Sequence, residues 1–216
     1  MSKPLVRMAV FGSYYRGYNV LHEMLHGPIG QMVNVVGVAT DDPASSWVSA
    51  DKRVWQYPHT PYERRMVAQL AEENGIEVYT GRTHDEPFLE RFETEWRPDI
   101  CMMATFGQRI RKRVLSYPRL GFYNLHPCID DKWPSHYIGG NPFDALMRDG
   151  KRYACVVMHG VDEGFDTGPF VGISDRIAIP AESTVPDMHK ITAFAAAQLA
   201  RTKLKEIIES DRRAYA

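Results

Sequence analysis

Residues 33–40 read Val33-Asn34-Val35-Val36-Gly37-Val38-Ala39-Thr40, and the turn formers Asp41-Asp42-Pro43 close them. A near-continuous apolar run of this length is short for a packed helix and lacks the polar alternation of a strand with one wet face. It reads as a strand buried on both sides. Upstream, Val6 to Phe11 has the same character and ends at Gly12-Ser13. Short apolar runs separated by amphipathic stretches are the sequence form of repeated βα units.

The alternation continues downstream. Met66, Val67, Leu70 and Ala71 follow helical spacing between Pro61 and Asn74, with Thr60-Pro61 as cap and first turn and Gly75 as stop before a short strand at Ile76 to Tyr79. Phe88, Leu89, Phe92 and Trp96 mark one face of another helix, and Pro98 leads into a strand at Ile100 to Ala104. A fifth strand, Gly121 to Leu125, delivers Asn124 and His126 at its carboxyl end, where open α/β sheets bind ligands. A helix at Pro142 to Arg148, strands at Tyr153 to Met158 and Pro169 to Ile179, and a final helix from about Pro186 to Ser210 follow. That helix carries Ile191, Phe194, Ala195, Leu199, Ile207 and Ile208 mostly on one face. The expected fold is α/β: a Rossmann-like open, mostly parallel twisted sheet with helices on both faces, in one domain over 1–216.

Composition narrows the function classes. Apolar residues at 44% and charged residues at 25% match a globular chain, so a disordered or fibrous reading is set aside. With a formal net charge of −1, nothing forms a phosphate-tracking stripe for nucleic acid; the basic run Arg109-Ile110-Arg111-Lys112-Arg113 reads as the solvated face of a short helix. Three cysteines, Cys101, Cys128 and Cys155, without CxxC pairing argue for a reducing compartment and against a zinc ribbon. No signal-peptide core or membrane-length apolar run is visible, so the cytoplasm is expected. The irregular stretches Asp41 to His59 and Pro127 to Asn141 interleave turn formers with Trp47, Trp55, Trp133 and Tyr137, as binding loops do.

Three motifs carry chemistry. His22-Glu23-Met24-Leu25-His26 matches the helical H-E-x-x-H of zinc hydrolases, but Gly27-Pro28 follows at once and no third ligand stands downstream, so it is read as helix surface and no metal is expected. Gly12-Ser13-Tyr14-Tyr15-Arg16 follows a strand and opens a helix, where backbone N–H groups can hold an anion; it is a simple turn or a substrate-contacting loop. The third is Phe122-Tyr123-Asn124-Leu125-His126-Pro127 with Val161-Asp162-Glu163-Gly164-Phe165-Asp166-Thr167-Gly168-Pro169. Alternate strand residues share a face, so Asn124 and His126 can enter one pocket. A Gly-flanked loop can bring Asp166 beside them. An amide donor, a base that titrates near neutrality and an orienting carboxylate suit acyl transfer.

These motifs resemble the folate-dependent formyltransferase family. Its members read N-[IVL]-H-P-S-L-L-P-x-x-x-G and later D-x-G-x-D-x-G; here stand Asn124-Leu125-His126-Pro127-Cys128 and Asp162 to Gly168, with Gly139-Gly140-Asn141-Pro142 between. Weaker likenesses lie at Val36 to Thr40 before Asp42-Pro43, at Asn74 to Val78 and at Thr105 to Ile110. The resemblance implies the formyltransferase fold, catalysis by Asn124, His126 and Asp166, and N10-formyltetrahydrofolate as donor and co-substrate. It implies a donor site on Phe106, Gly107, Gln108, Arg109 and Ile110 and on Val161, Asp162, Glu163, Gly164 and Phe165. Cys128 occupies the family's serine position, which is not a nucleophile. The segment Cys128 to Ile138 departs from the family pattern, which implies an unusual acceptor pocket.

The expected acceptor is a small-molecule amine, for instance an amino sugar on a nucleotide carrier, with glycinamide-ribonucleotide-like and hydroxyornithine-like acceptors as alternatives. The glycinamide reading is weakened because Gly12-Ser13-Tyr14-Tyr15 replaces that group's Gly-Ser-Asn loop. No C-terminal tRNA-binding domain is expected, and neither nucleic acid nor membrane is an expected partner; a homodimer is a candidate assembly. Two readings of another class are a formyltetrahydrofolate hydrolase and a non-catalytic folate-binding domain.

Overall fold

The computed structural model describes residues 4–48, 54–128, 133–135, 142–164 and 166–214. Strands β1 (Val6–Gly12) and β2 (Val33–Ala39) pair in parallel, as their two-sided apolar character requires. They flank helix α1 (Tyr14–His26). Helix α2 (Pro61–Glu73) starts on a capping box: Glu63 N–H donates to Thr60 Oγ1 at 3.2 Å, and the Thr60 N–H donates to Glu63 Oε2 at 2.7 Å. It leads to β3 (Val78–Tyr79), shorter than the expected Ile76–Tyr79 because the Ile76 N–H still donates to Ala71 O at the helix end.

Helix α3 (Glu86–Arg91) runs on into a single π turn at Phe92–Trp96, after which β4 (Ile100–Ala104) pairs in parallel with β1. Short α4 (Lys112–Leu115) precedes β5 (Phe122–Cys128), which is parallel to β4. Helix α5 (Pro142–Arg148), β6 (Tyr153–Gly160), β7 (Phe170–Ile173), β8 (Ile177–Ala178) and α6 (Val185–Ala214) complete the chain. The sheet order is β3-β2-β1-β4-β5-β6-β7, with β8 also on β6. Pairing becomes antiparallel at β5–β6 and stays so to the edge.

Side chains alternate between two cores. Val6, Met8 and Val10 join residues of α1, α2 and α6 on one face, while Ala9 and Phe11 join Phe88, Phe92 and Trp96 on the other. Helices therefore cover both faces, as expected. Phe11 centres the second core, with its ring centroid 5.0 Å from Phe122 and 5.6 Å from Phe106.

Three expectations need correction. The strand expected over Pro169–Ile179 is broken into β7 and β8, because the Ser174 hydroxyl takes the Val156 N–H at 2.9 Å and interrupts the ladder. On α6 Leu199 and Ile208 are buried as expected, but the rest of the buried stripe is Ala193, Ala196, Ala197, Ala200 and Leu204, and Phe194 faces solvent. Finally, β5 runs three residues beyond Leu125, since β6 supplies partners as far as Cys128↔Cys155. The register with β4 ends at Met103↔Asn124, and the chain turns away at Thr105, whose φ is 57°. Past Asn124 the β4-facing side of β5 is thus unpaired, which tolerates Pro127 in the strand and opens a cleft beside Asn124 and His126.

Candidate active site

The switch point of the strand order lies where β2 and β4 flank β1, and a cavity opens by the carboxyl ends of β4 and β5 next to it. Asn124 and His126 are both buried on β5 and point to that cavity. Asp166 comes from the loop after β6, with φ at 51°, a left-handed conformation rare outside glycine. Local bonds hold it there. The Asp162 carboxylate accepts from the Gly164 N–H at 3.0 Å and from the Thr167 hydroxyl at 2.9 Å, and a Cβ on Gly168 would lie 1.8 Å from the Gly160 carbonyl oxygen. The loop is closed on its own carboxylate, and only glycine passes at Gly168.

Asp166 Oδ1 is the hub of the cluster. It lies 3.4 Å from His126 Nδ1, 3.4 Å from Asn124 Nδ2 and 3.5 Å from His159 Nε2. His159, directly opposite Asn124 across the β5–β6 ladder, was not singled out from the sequence. Its Nδ1 is 2.7 Å from Gly160 O; a carbonyl only accepts, so Nδ1 carries the proton. In the neutral ring Nε2 is then an acceptor for Asn124 Nδ2 at 3.2 Å. The Trp133 ring lies 4.5 Å from the His159 ring, and its Nε1 donates to Gly168 O at 2.9 Å, which ties the segment after β5 to the Asp166 loop. The sequence signal for His159 was only that it precedes the Asp162 loop; its role depends on an antiparallel pairing that no local pattern announces.

The expected donor-site residues are brought to the same cavity in part. Phe106, Gln108, Arg109, Ile110, Val161, Asp162 and Gly164 line it. Gly107 instead donates its N–H to Asp41 Oδ1 at 3.0 Å, and Glu163 lines a shallower neighbouring depression. Arg109 Nη2 donates to the Glu163 carbonyl and so bridges the two loops. The Gln108 side chain is tied to Gly81 O and the Thr83 N–H.

In the turn after β1, only Arg16 reaches the cavity. Gly12 packs on Gly17, Ser13 Oγ accepts from the Asp41 N–H, and the Tyr14 and Tyr15 hydroxyls donate to Glu63. Burial and then the Glu63 charge push the Tyr14 hydroxyl well above its usual pKa, so it stays protonated. Phe165, residues 129–132 and residues 136–141, which include Tyr137 and Gly139-Gly140-Asn141, lie outside the described residues. His22 and His26 are exposed on α1, and Glu23 faces Arg201 at 3.5 Å. Among the described residues no group of three or more His, Cys, Asp or Glu side chains is arranged to hold a metal, and no helix is long and apolar enough to cross a membrane.

Fold and site together define a doubly wound α/β protein with a polar side-chain cluster in a cavity beside its switch point. The chain belongs to the formyl transferase family, whose model matches residues 7–203. It is 32% identical over 128 residues to the methionyl-tRNA formyltransferase of Dehalococcoides mccartyi, a match that takes in 59% of this chain and 39% of that relative. The match thus spans well under half the length of the curated protein. The phosphoribosylglycinamide formyltransferase of Streptococcus pneumoniae TIGR4 shares the fold at a TM-score of 0.65 and 19% identity, over 94% of this chain and 99% of the other. A formyltetrahydrofolate deformylase from Pseudomonas syringae shares it at 0.68 and 15% identity, over 96% of this chain and 62% of the other.

Proposed function

We propose that the chain transfers a formyl group from N10-formyltetrahydrofolate to the amino group of a small acceptor, with Asn124, His126 and Asp166 as its catalytic residues. The observation that carries this reading is the convergence of the Asn124 amide and the His126 imidazole on the Asp166 carboxylate, each 3.4 Å from its Oδ1, in a cavity of a formyl transferase fold.

Phe106, Ile110 and Val161 give that cavity apolar walls interrupted by backbone polar groups, which suits a flat heterocycle with a hydrogen-bonding edge. When bound there, the donor supplies the formyl carbon: the acceptor nitrogen bonds to it, its bond to N10 breaks, and the proton lost by the amine ends on N10. Protonated His126 and an Asn124 N–H stabilise the negative oxygen of the tetrahedral intermediate, and Asp166 favours the charged imidazole. Asn124 Nδ2 has its two hydrogens directed at His159 and Asp166, so serving an oxyanion requires one bond to be exchanged.

Among acceptors we favour an amino sugar on a nucleotide carrier, because the indole of Trp55 lines the cavity and aromatic side chains suit contact with a sugar or base ring. Glycinamide-ribonucleotide-like and hydroxyornithine-like amines are the alternatives. The test is incubation with N10-formyltetrahydrofolate and a panel of amino sugars, amino acids and nucleotide-linked amines, read by a mass gain of one formyl group. Asn124→Ala and His126→Ala should each lower turnover by on the order of 100-fold or more. Near-normal transfer in either variant refutes the assignment. Formate release without an amine assigns a hydrolase instead, and folate binding without any product assigns a binding domain.

A further inference from the structure

Arg16 sits on the first turn of α1, 2% exposed. Its Nη1 donates to Thr105 Oγ1 and its Nη2 to Thr192 Oγ1, both at 3.0 Å, while Nε has no hydrogen-bond partner. Among the described residues no carboxylate pairs with it; its flat face lies over the Phe143 ring at 5.6 Å. His189 on α6 is 5% exposed, and neither of its ring nitrogens has a hydrogen-bond partner. The Phe143 and Tyr14 rings meet that ring at near right angles, with centroids 4.8 Å and 6.1 Å away. Both side chains line the cavity that holds Asn124, His126 and Asp166.

A buried cation without a counter-ion is costly, and so is a buried imidazole without partners. Burial lowers the Arg16 guanidinium to about 10, which leaves it charged at neutral pH. Burial, and then the Arg16 charge, hold His189 well below its ordinary value, so it is neutral. The neutral ring still offers one N–H, the Thr105 hydroxyl that accepts from Arg16 keeps a proton of its own, and Arg16 Nε–H is unused. Arg16 Nε and the His189 ring thus present unused donors beside a full positive charge in one cavity wall, and among the described residues neither has a hydrogen-bond acceptor. The Thr192 hydroxyl, bonded onward to Met188 O at 2.7 Å, fixes the guanidinium from behind.

Resting on the formyl-transfer reading, we propose that Arg16, Thr105 and His189 form an anion subsite for the acceptor, so that the amine to be formylated carries a phosphate or carboxylate several bonds from its nitrogen. The spacing follows from the sheet. Thr105 stands two residues beyond Met103, the register partner of Asn124. One strand separation of about 4.8 Å and a rise of about 3.3 Å per residue set the two ends of the site on the order of 8 Å apart. A simple α-amino acid, with amine and carboxylate on one carbon, is too short to bridge them; an amine several bonds from its phosphate or carboxylate is not.

Thermal unfolding in a buffer free of both anions tests this, with inorganic phosphate and sodium acetate as probes, each with and without saturating 5-formyltetrahydrofolate. The expected result is a saturable rise in the wild-type midpoint that persists when the folate is present. Arg16→Met should weaken it at least tenfold, and Arg16→Lys and Thr105→Val should weaken it less. A stronger response to phosphate identifies a phosphate-bearing acceptor, and a stronger response to acetate a carboxylate. Absence of a saturable shift in the wild type overturns the proposal, as does a shift that Arg16→Met leaves intact. Loss of the shift on adding folate also overturns it, since the anion would then be the donor's own carboxylate. Should Arg16→Met not fold, the wild-type, Arg16→Lys and Thr105→Val arms decide. Failure of 5-formyltetrahydrofolate to bind sinks the formyl-transfer reading; failure of both anions with folate binding intact sinks the subsite alone.

Discussion

Asp166 is held in a left-handed conformation by a loop that closes on Asp162, and its Oδ1 then gathers His126, Asn124 and His159 within 3.5 Å. The four side chains divide into two kinds. In the proposed reaction Asn124, His126 and Asp166 touch the reacting atoms, whereas His159, the acceptor for the Asn124 amide, acts through Asn124. Losing one neutral hydrogen bond of that kind is worth about 1 kcal/mol, so His159→Leu should lower kcat by roughly threefold to tenfold with the folate KM unchanged. The steady-state split between kcat and KM checks this. A fall in folate affinity with kcat intact would instead make His159 part of the donor site. Arg109, which bridges the two loops of the proposed donor site through the Glu163 carbonyl, should show the opposite pattern: Arg109→Ala raises the folate KM and spares kcat.

At the level of elements, the position of the Arg16 guanidinium depends on how closely α1 approaches the sheet. A Cβ on Gly17 would lie 2.6 Å from the Gly12 carbonyl carbon and 3.3 Å from Ala104 O, all backbone that cannot step aside. Gly17→Ala must therefore lift α1 off β1 and β4, at a cost of about 1–3 kcal/mol by the usual measure of overpacking. It should also displace Arg16 from Thr105. Chemical denaturation gives the first quantity, and loss of the phosphate response gives the second. Thr60→Ala is a milder change: it removes one half of the α2 capping box and should cost about 1 kcal/mol. These elements were largely legible in the sequence, because buried strands and amphipathic helices write their periods locally: β4 and α5 fall on the expected residues, and β1 and α2 within one of them. Asn124 and His126 were legible for the same reason, as alternate residues at a strand end. What was not legible depends on pairing at long range. The antiparallel turn of the sheet at β6 brings His159 opposite Asn124, and α6 returns from the far end of the chain to set His189 beside Arg16, a residue read from sequence as part of a simple turn or substrate-contacting loop, with no sign of its partner on α6. The Ala stripe of α6 was missed because alanine carries little apolar signal, yet small side chains are what let α6 lie close to α1.

For the whole molecule, two separate pH windows of stability follow from the titratable groups whose pKa the fold shifts. Glu63 and Asp187 both titrate below their usual carboxylate range. At Glu63 burial opposes the shift but bonds from the Thr60 N–H, the Tyr15 and Thr60 hydroxyls and Lys190 overcome it; at Asp187 the Thr184 hydroxyl and N–H cause it. A depressed carboxylate contributes stability that is present above its unfolded pKa, near 4.5 for Glu63 and 3.8 for Asp187, and is lost as pH falls through the folded value. His189 acts in a higher window. Its folded-state value lies well below 6.5, so between the two values the unfolded chain takes up a proton that the native protein refuses. The unfolded state binds more protons there, and stability must fall as pH drops below 6.5, by up to about 1.4 kcal/mol per pH unit from this one group. Urea denaturation at pH 7.5, 6.5 and 5.5, in wild type and in His189→Gln, isolates the contribution, since the other histidines are common to both proteins. The wild type should lose more stability than the variant over that interval, and parallel curves would show that His189 accepts a proton in the folded state. Added phosphate should shrink the difference, because an anion beside Arg16 lets the imidazole protonate within the native cavity.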